Sequence, residues 1–187
     1  MKVEKINLNL INLIDEELPQ TQCKRCGYAS CRPYAEAVAL GNEDINRCPP
    51  GGSKVVKRLS KLTGKEQKTI DPSCGKESNP ELLLIDEKNC IGCGLCIPAC
   101  PVDAIVGAKK FMHTIIKEEC TGCELCILPC PVDCISIIER PDYLEWTRDK
   151  AKESRERFNK KQKRIKDVKE LDSSEEIVKD LKANLKN

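Results

Sequence analysis

Fourteen cysteines in a chain of 187 residues are the feature with the clearest chemistry. Thiols at this density have two common explanations, disulfide bonds or metal ligation. Disulfide frameworks belong to secreted chains, whereas residues 1–15 contain no small-residue cleavage site typical of a signal peptide. No apolar run approaches the roughly 18 residues needed to cross a bilayer. We therefore expect a cytosolic chain with reduced thiols that ligate metal.

Two copies of the pattern C-x2-C-x2-C-x3-C-P carry eight of these cysteines. Residues 90–105 read CIGCGLCIPACPVDAI and residues 120–135 read CTGCELCILPCPVDCI, with eleven of sixteen positions identical. Three cysteines at i, i+3 and i+6 wrap one [4Fe–4S] cluster, and the fourth points to the other cluster. The predicted ligands are Cys90, Cys93, Cys96 and Cys130 for one cluster, and Cys120, Cys123, Cys126 and Cys100 for the other. Zinc ribbons instead need two CxxC pairs some 15–20 residues apart, so the repeat favours clusters over zinc.

A separate set of four cysteines precedes the repeat: Cys23, Cys26, Cys31 and Cys48. By spacing alone this set could hold a [4Fe–4S] cluster, a [2Fe–2S] cluster or zinc. Three cysteines within nine residues favour a cluster loop over a zinc knuckle. Lys24, Arg25 and Arg47 bring positive charge nearby, which would raise the potential of a bound cluster.

Three further residues with metal-binding side chains stay outside these sets. We expect Cys74 to be a spare thiol in a linker. Cys134 stands where the first copy of the repeat has Ala104, which predicts a small buried residue. His113 is the single histidine, so it cannot form the two-histidine ligation of a Rieske centre, and we interpret it as structural.

The elements that must position these loops predict an α+β chain. It comprises a small helical Fe–S domain, a ferredoxin-like 2[4Fe–4S] domain and a charged helical tail. A helix is predicted over residues 2–15 from the helical spacing of its apolar residues. Two more are predicted over 32–40, with Pro33 in the first turn and Gly41 after the end, and over 53–64, which ends at Gly64. Each cysteine loop of the repeat is expected to lie between two short strands, with a short helix before the second strand. The predicted boundaries are 1–64 for the N-terminal domain, 65–80 for a linker, 81–140 for the ferredoxin domain and 141–187 for the tail.

The tail is rich in charge. Residues 148–169 carry eleven Lys or Arg against four Asp or Glu, and an apolar residue recurs at every seventh position. We predict a solvated helix with a narrow apolar seam, and a second helix starting at Ser173, which with Glu176 resembles a capping box. The basic stretch could meet an acidic partner, anionic lipid or nucleic acid.

Residues 16–146 resemble the B-type subunits of the Rnf/Rsx ion-translocating electron-transport complex. The resemblance is carried by LPQTQCKRCGYASCRPYAEA, NRCPPGG, IDEKNCIGCGLCIPACPVDAIVGAKKFMHT and CTGCELCILPCPVDCIS. It implies that the first set of cysteines also binds a [4Fe–4S] cluster, giving three in all. It further implies that the clusters pass single electrons within a membrane complex that couples electron flow to ion movement.

Three features depart from the family's pattern. Its members typically begin with a membrane-spanning segment, whereas this chain starts almost directly at the first domain. The first loop usually reads C-G-x-C-G-Y-P-x-C, whereas Lys24 and Ala29 replace the first Gly and the Pro. The long charged tail is not part of the usual pattern.

The predicted function is therefore an iron–sulfur relay subunit of such a complex, with no substrate chemistry of its own. We expect partner subunits to attach it peripherally to the cytoplasmic side of the bacterial inner membrane. The alternative is a soluble ferredoxin-like donor to a cytosolic redox partner or Fe–S regulator. A nucleic-acid-binding Fe–S protein is a third class, and we do not expect nucleic acid as a partner.

Overall fold

The computed structural model describes the backbone of residues 2–184 and the side chains of residues 8–171. The chain is α+β, as predicted. Its helices are α1 (Lys2–Glu17), α2 (Cys31–Ala39), α3 (Gly52–Thr63), α4 (Cys96–Ala99) and α5 (Arg148–Asn184). Its strands are β1 (Leu82–Ile85), β2 (Ile105–Val106), β3 (Thr114–Ile115) and β4 (Ile135–Ile138). Short 3-10 turns occur at Pro72–Cys74 and Asp142–Leu144.

The first three helices surround one hydrophobic core, which we call the N-terminal core. Its buried members are Ile14, Leu18, Cys26, Tyr34, Ala35, Val38, Ile45, Cys48, Val55, Val56 and Leu59. The apolar stripe predicted for α1 packs here through Ile14 and Leu10, whereas Leu13 is 40% exposed. The side chains of Val3 and Ile6 lie outside the described residues. The amphipathic helix thus covers its own domain.

Two small antiparallel sheets organise the repeat. β1 pairs with β4, with Leu82 opposite Ile138 and Ile85 opposite Ile135. β2 pairs with β3, with Ile105 opposite Ile115. Each sheet therefore joins a strand of the first copy to a strand of the second. This pairing ties both copies around one core, which comprises Leu82, Leu83, Ile85, Cys96, Cys100, Val102, Ala104, Ile105, Ile115, Cys120, Cys126, Cys134, Ile135 and Leu144.

The short helix predicted for each copy forms only in the first. There, α4 follows the loop and Cys100 N–H donates to the Cys96 carbonyl. In the second copy the chain makes turns, with N–H groups of Ile127 and Cys130 bonded three residues back. Pro129 stands where the first copy has Ala99, so the N–H that a helical turn would use is missing there.

Helix α5 is continuous through Ser173, so the prediction of a second helix starting there is wrong. Its first half is also less solvated than expected, because Ala151, Ser154 and Lys161 are buried. Phe158 packs against the core of the repeat. A capping-box pattern does not begin a new helix when the preceding turn already supplies the carbonyls that its N–H groups need.

Within residues 2–184, no helix is both long and apolar enough to span a membrane.

Candidate iron–sulfur sites

The first thiol set converges although its members span 26 residues of chain. Cys23, Cys26, Cys31 and Cys48 line one small cavity. The loop before α2 supplies the first two thiols, the start of α2 supplies Cys31, and the turn before α3 supplies Cys48. Tyr34 closes the inner wall, with its hydroxyl donating to the Asp44 carbonyl at 2.8 Å.

A chain of buried amides holds this loop in place. Gln20 Nε2 donates to Asp15 Oδ1 at 3.0 Å, and Gln22 Nε2 donates to Gln20 Oε1 at 2.8 Å. Gln22 Oε1 in turn accepts from the backbone N–H of Cys31 at 3.0 Å. Both glutamines are about 98–99% buried and adopt φ near +56°. This role of the two glutamines was not predicted from the sequence; their position in LPQTQC, directly before a cysteine loop, was the available signal.

The positive charges expected around this set are largely neutralised. Arg47 Nη1 pairs with Asp71 Oδ2 at 3.1 Å, and Arg47 Nε lies 3.4 Å from Glu43 Oε2. Arg25 pairs with Glu124 of the second copy of the repeat. Lys24 is exposed and adopts φ +61°. A glycine, which the family usually has at this position, adopts this left-handed conformation easily. The predicted increase of the potential by these residues is therefore weakened by neighbouring carboxylates.

The second thiol set surrounds a similar cavity. Cys90, Cys93, Cys96 and Cys130 line it. Cys130, which lines the cavity with the other three, belongs to the second copy of the repeat. Burial raises the pKa of Cys96, and the neighbouring thiols Cys93, Cys90 and Cys130 raise it further.

Two residues interpreted as structural also lie at this second cavity. His113 is buried, with Nδ1 3.4 Å from Cys96 Sγ, and its backbone N–H donates to Cys90 Sγ at 3.3 Å. Cys134 Sγ lies 3.6 Å from Cys130 Sγ. Cys134 is buried as expected, but it lines the site rather than only filling the core. The cysteine spacing of the motif carries no signal for either contact.

The third thiol set comprises Cys100, Cys120, Cys123 and Cys126, which are all buried. Burial raises the pKa of Cys123 to about 12, and the nearby Cys100 and Cys120 raise it further. Burial likewise raises the pKa of Cys126, with the neighbouring thiols adding to the effect. Cys100 Sγ accepts from the backbone N–H of Ala104 at 3.2 Å. The four thiols therefore share one buried region.

All fourteen cysteines are free thiols, and Cys74 is buried close to Cys26. Among the described side chains, no three cysteine, histidine or acidic groups converge closely enough to hold a single metal ion. The first two sets each place four thiolate-forming side chains around one cavity, and a [4Fe–4S] cluster takes one thiolate at each of its four corners. A zinc site would draw all four sulfurs to about 2.3 Å from one ion. The donor set and its cavities thus fit [4Fe–4S] clusters.

The loops of the first and third sets touch each other. Thr121, between two cysteines of the third set, donates from Oγ1 to the Thr21 carbonyl at 2.9 Å. Arg25, between two cysteines of the first set, donates to Ser78 Oγ at 3.2 Å besides pairing with Glu124. The Thr121–Thr21 and Arg25–Glu124 contacts each join residues about 100 positions apart. The first set therefore neighbours the third set.

Two family models match the chain in these regions. One described as "4Fe-4S dicluster domain" matches residues 84–137, and one described as "Putative Fe-S cluster" matches residues 18–50. These matches define the chain as an iron–sulfur protein. No solved structure matches the chain.

Curated relatives share one description, as the B-type subunit of an ion-translocating oxidoreductase complex. The relative from Alcanivorax borkumensis is 57% identical over 139 residues, covering 73% of this chain and 71% of its own length. The relative from Escherichia fergusonii is 54% identical over 142 residues, covering 73% of each chain. The relative from Thiobacillus denitrificans is 60% identical over 109 residues, which span 58% of each chain. The chain belongs to this family of B-type subunits of ion-translocating oxidoreductase complexes.

Proposed function

We propose that this chain relays single electrons through three [4Fe–4S] clusters as a subunit of an ion-translocating oxidoreductase complex. The observation that carries the proposal is that twelve cysteines gather into three sets of four. Two of the sets line cavities, and the thiols of the third lie close enough to raise one another's pKa. Bound [4Fe–4S] clusters supply one-electron redox chemistry, with potentials set by charge, hydrogen bonds and exposure.

The proposed ligand assignment follows the three sets. The first site uses Cys23, Cys26, Cys31 and Cys48, the second uses Cys90, Cys93, Cys96 and Cys130, and the third uses Cys120, Cys123, Cys126 and Cys100. The proposed domains are 1–64 for the first site, a linker at 65–80, a ferredoxin domain at 81–140 for the other two sites, and a tail at 141–187.

The residues around the thiols hold their loops and orient donors to sulfur. Gln22 fixes the backbone at Cys31 from one side of the first site. Backbone N–H groups of His113 and Ala104 donate to cysteine sulfurs of the second and third sites. Such donors favour the more negative, reduced state of a cluster and raise its potential.

The contact between the loops of the first and third sets supports a compact relay. Thr121 bonds to Thr21, so these two loops are held at one interface by a hydrogen bond within the chain. Electron transfer between sites requires that they stay near each other during turnover. Helix α5 strengthens this interface, because Ser154 Oγ donates to the Gln20 carbonyl at 2.6 Å and Arg155 pairs with Asp15 at 3.0 Å.

The proposed partners are other subunits of the complex, on the cytoplasmic side of the inner membrane. The shared description of the relatives supports this, since each is named as one subunit of a complex. The free state of every cysteine suits a reducing compartment. Affinity purification of the tagged chain from membranes is expected to recover such subunits, and recovery only of the isolated chain would argue against them.

Iron analysis of anaerobically prepared protein tests the relay itself. We expect about twelve iron and twelve sulfide per chain, because each [4Fe–4S] cluster contributes four of each. Cys31→Ser is expected to remove about four iron, because it removes one ligand of one site only. Cys74→Ser is the matched control, because Cys74 is buried near the first set but lies outside it, and it should leave the iron content unchanged. Zinc in place of iron, or equal losses in both variants, would contradict the assignment.

A further inference from the structure

Helix α5 buries a lysine beside the third site. The Lys161 side chain is only 6% exposed, and its Nζ forms an ion pair with Asp103 Oδ1 at 3.1 Å. The same Nζ donates to the carbonyl of Cys100, a proposed ligand, and to the Pro98 carbonyl at 3.2 Å. A buried ammonium requires such partners, because removing its charge from water is costly.

Two arginines on the same face of α5 extend this contact. Arg157 Nε donates to the Val102 carbonyl at 2.9 Å, and Arg157 pairs with Glu119. Arg164 pairs with Asp103 at 2.7 Å. Positions 157, 161 and 164 are four and three residues apart, so a helix places them on one face. Three cations of α5 thus meet two carboxylates, so this group of side chains carries one net positive charge.

We propose that Lys161 raises the reduction potential of the cluster held by the third set relative to that of the second set. The inference rests on the proposed ligand assignment. Reduction adds one negative charge to a cluster, and a fixed cation nearby stabilises that state. The interaction is stronger where water is excluded, as it is around Lys161.

The repeat provides the comparison inside the molecule. The two copies share the sequence CPVD, so Asp133 of the second copy corresponds to Asp103 of the first. Asp103 is half-buried between two α5 cations, whereas Asp133 is exposed. Both residues adopt positive φ, +55° and +49°. The tail helix therefore makes two sequence-equivalent sites electrostatically different.

Redox titration of the whole chain, followed by electron paramagnetic resonance, tests the proposal. Lys161→Met is expected to make one cluster harder to reduce. At a fixed applied potential its oxidised-to-reduced ratio should rise about tenfold, equivalent to about 59 mV for a one-electron couple. Lys161→Arg keeps the charge and should restore most of the shift. Lys160→Met is the matched control, because Lys160 is exposed on the same helix and should leave all clusters near their original potentials.

A second substitution keeps the test decisive if Lys161→Met loses its cluster. Asp103→Asn removes the opposing charge, and asparagine tolerates the positive φ of this position. It should shift the same cluster in the opposite direction, whereas Asp133→Asn should leave that cluster unchanged. Equal effects of Lys160→Met and Lys161→Met, or no shift in Asp103→Asn with full iron content, would overturn the inference. An iron content well below twelve in the unsubstituted chain would instead contradict the proposed function.

Discussion

Alanine substitutions at two glycines of the cysteine loops distinguish the energetic cost of a strained backbone from the cost of a steric clash. Gly94 and Gly122 both adopt positive φ, +84° and +66°. A Cβ at Gly94 would meet nothing within 4 Å, whereas a Cβ at Gly122 would lie 2.2 Å from the Glu81 carbonyl oxygen and 2.8 Å from the Glu81 nitrogen. We therefore expect Gly122→Ala to be much more damaging than Gly94→Ala.

The magnitudes follow from these two contributions. An L-residue in the left-handed region costs about 1–2 kcal/mol, and both variants incur this cost. Only Gly122→Ala adds overpacking against backbone, which costs about 1–3 kcal/mol and cannot be relieved by a side-chain rotation. If Gly122→Ala costs about 2 kcal/mol more than Gly94→Ala, the fraction of molecules whose cysteine loop is locally unfolded is roughly 30-fold larger in Gly122→Ala. The backbone that must move is that of Glu81, directly before β1, or that of the loop around Gly122 itself. Because Gly122 lies between Cys120 and Cys123, either movement would also disturb the third set.

The assay is the bleaching of the visible iron–sulfur absorbance in denaturant under anaerobic conditions. Unfolding of a cofactor protein is not two-state, so the rate of bleaching is compared rather than an equilibrium free energy. Gly122→Ala should bleach about 30-fold faster than Gly94→Ala, and Gly94→Ala only modestly faster than the original chain. Equal bleaching rates for the two variants would refute the reasoning, because the close approach of Glu81 would then have no energetic consequence.

Two further predictions concern the first loop and the protonation of its thiols. Lys24→Gly should slow the bleaching in the same assay about fivefold, because it removes roughly 1 kcal/mol of strain at φ +61°; an unchanged rate would mean that another contact compensates. Burial raises the pKa of Cys26 and Cys123, so fewer of these thiols are ionised near neutral pH. Because thiolates are the ligands, chemical reconstitution of apoprotein should accelerate from about pH 7 to about pH 9, and a flat profile would contradict this.

Much of the candidate site could be predicted from the sequence because its signals are local. The motif Cys90 to Pro101 places three thiols on one tight loop within seven residues, so the loop encodes most of a site by itself. The ligation pattern typical of this motif predicts which fourth thiol joins each set, and that assignment stays a prediction. The four strands of the repeat were also predictable, since short apolar runs flank each loop.

Local signals failed where neighbouring elements decide the outcome. A short helix was expected in the second copy, but Pro129 removes the N–H that Ala99 supplies in the first. A helix start was expected at Ser173, but α5 continues through it. Both patterns are weak local preferences, and the surrounding chain overrides them.

The sequence by itself determined the kind of chemistry, because cysteine spacing decides which thiols can reach one group. Only the tertiary structure decided what surrounds those thiols. His113 lies against the second set, Thr21 meets Thr121, and Lys161 is buried beside Cys100. Each of these contacts joins residues far apart in the chain, and no periodicity or motif encodes such a pairing. The physical reason is that ligand spacing is a property of one loop, whereas charge, burial and hydrogen bonding around a site depend on how separate elements pack.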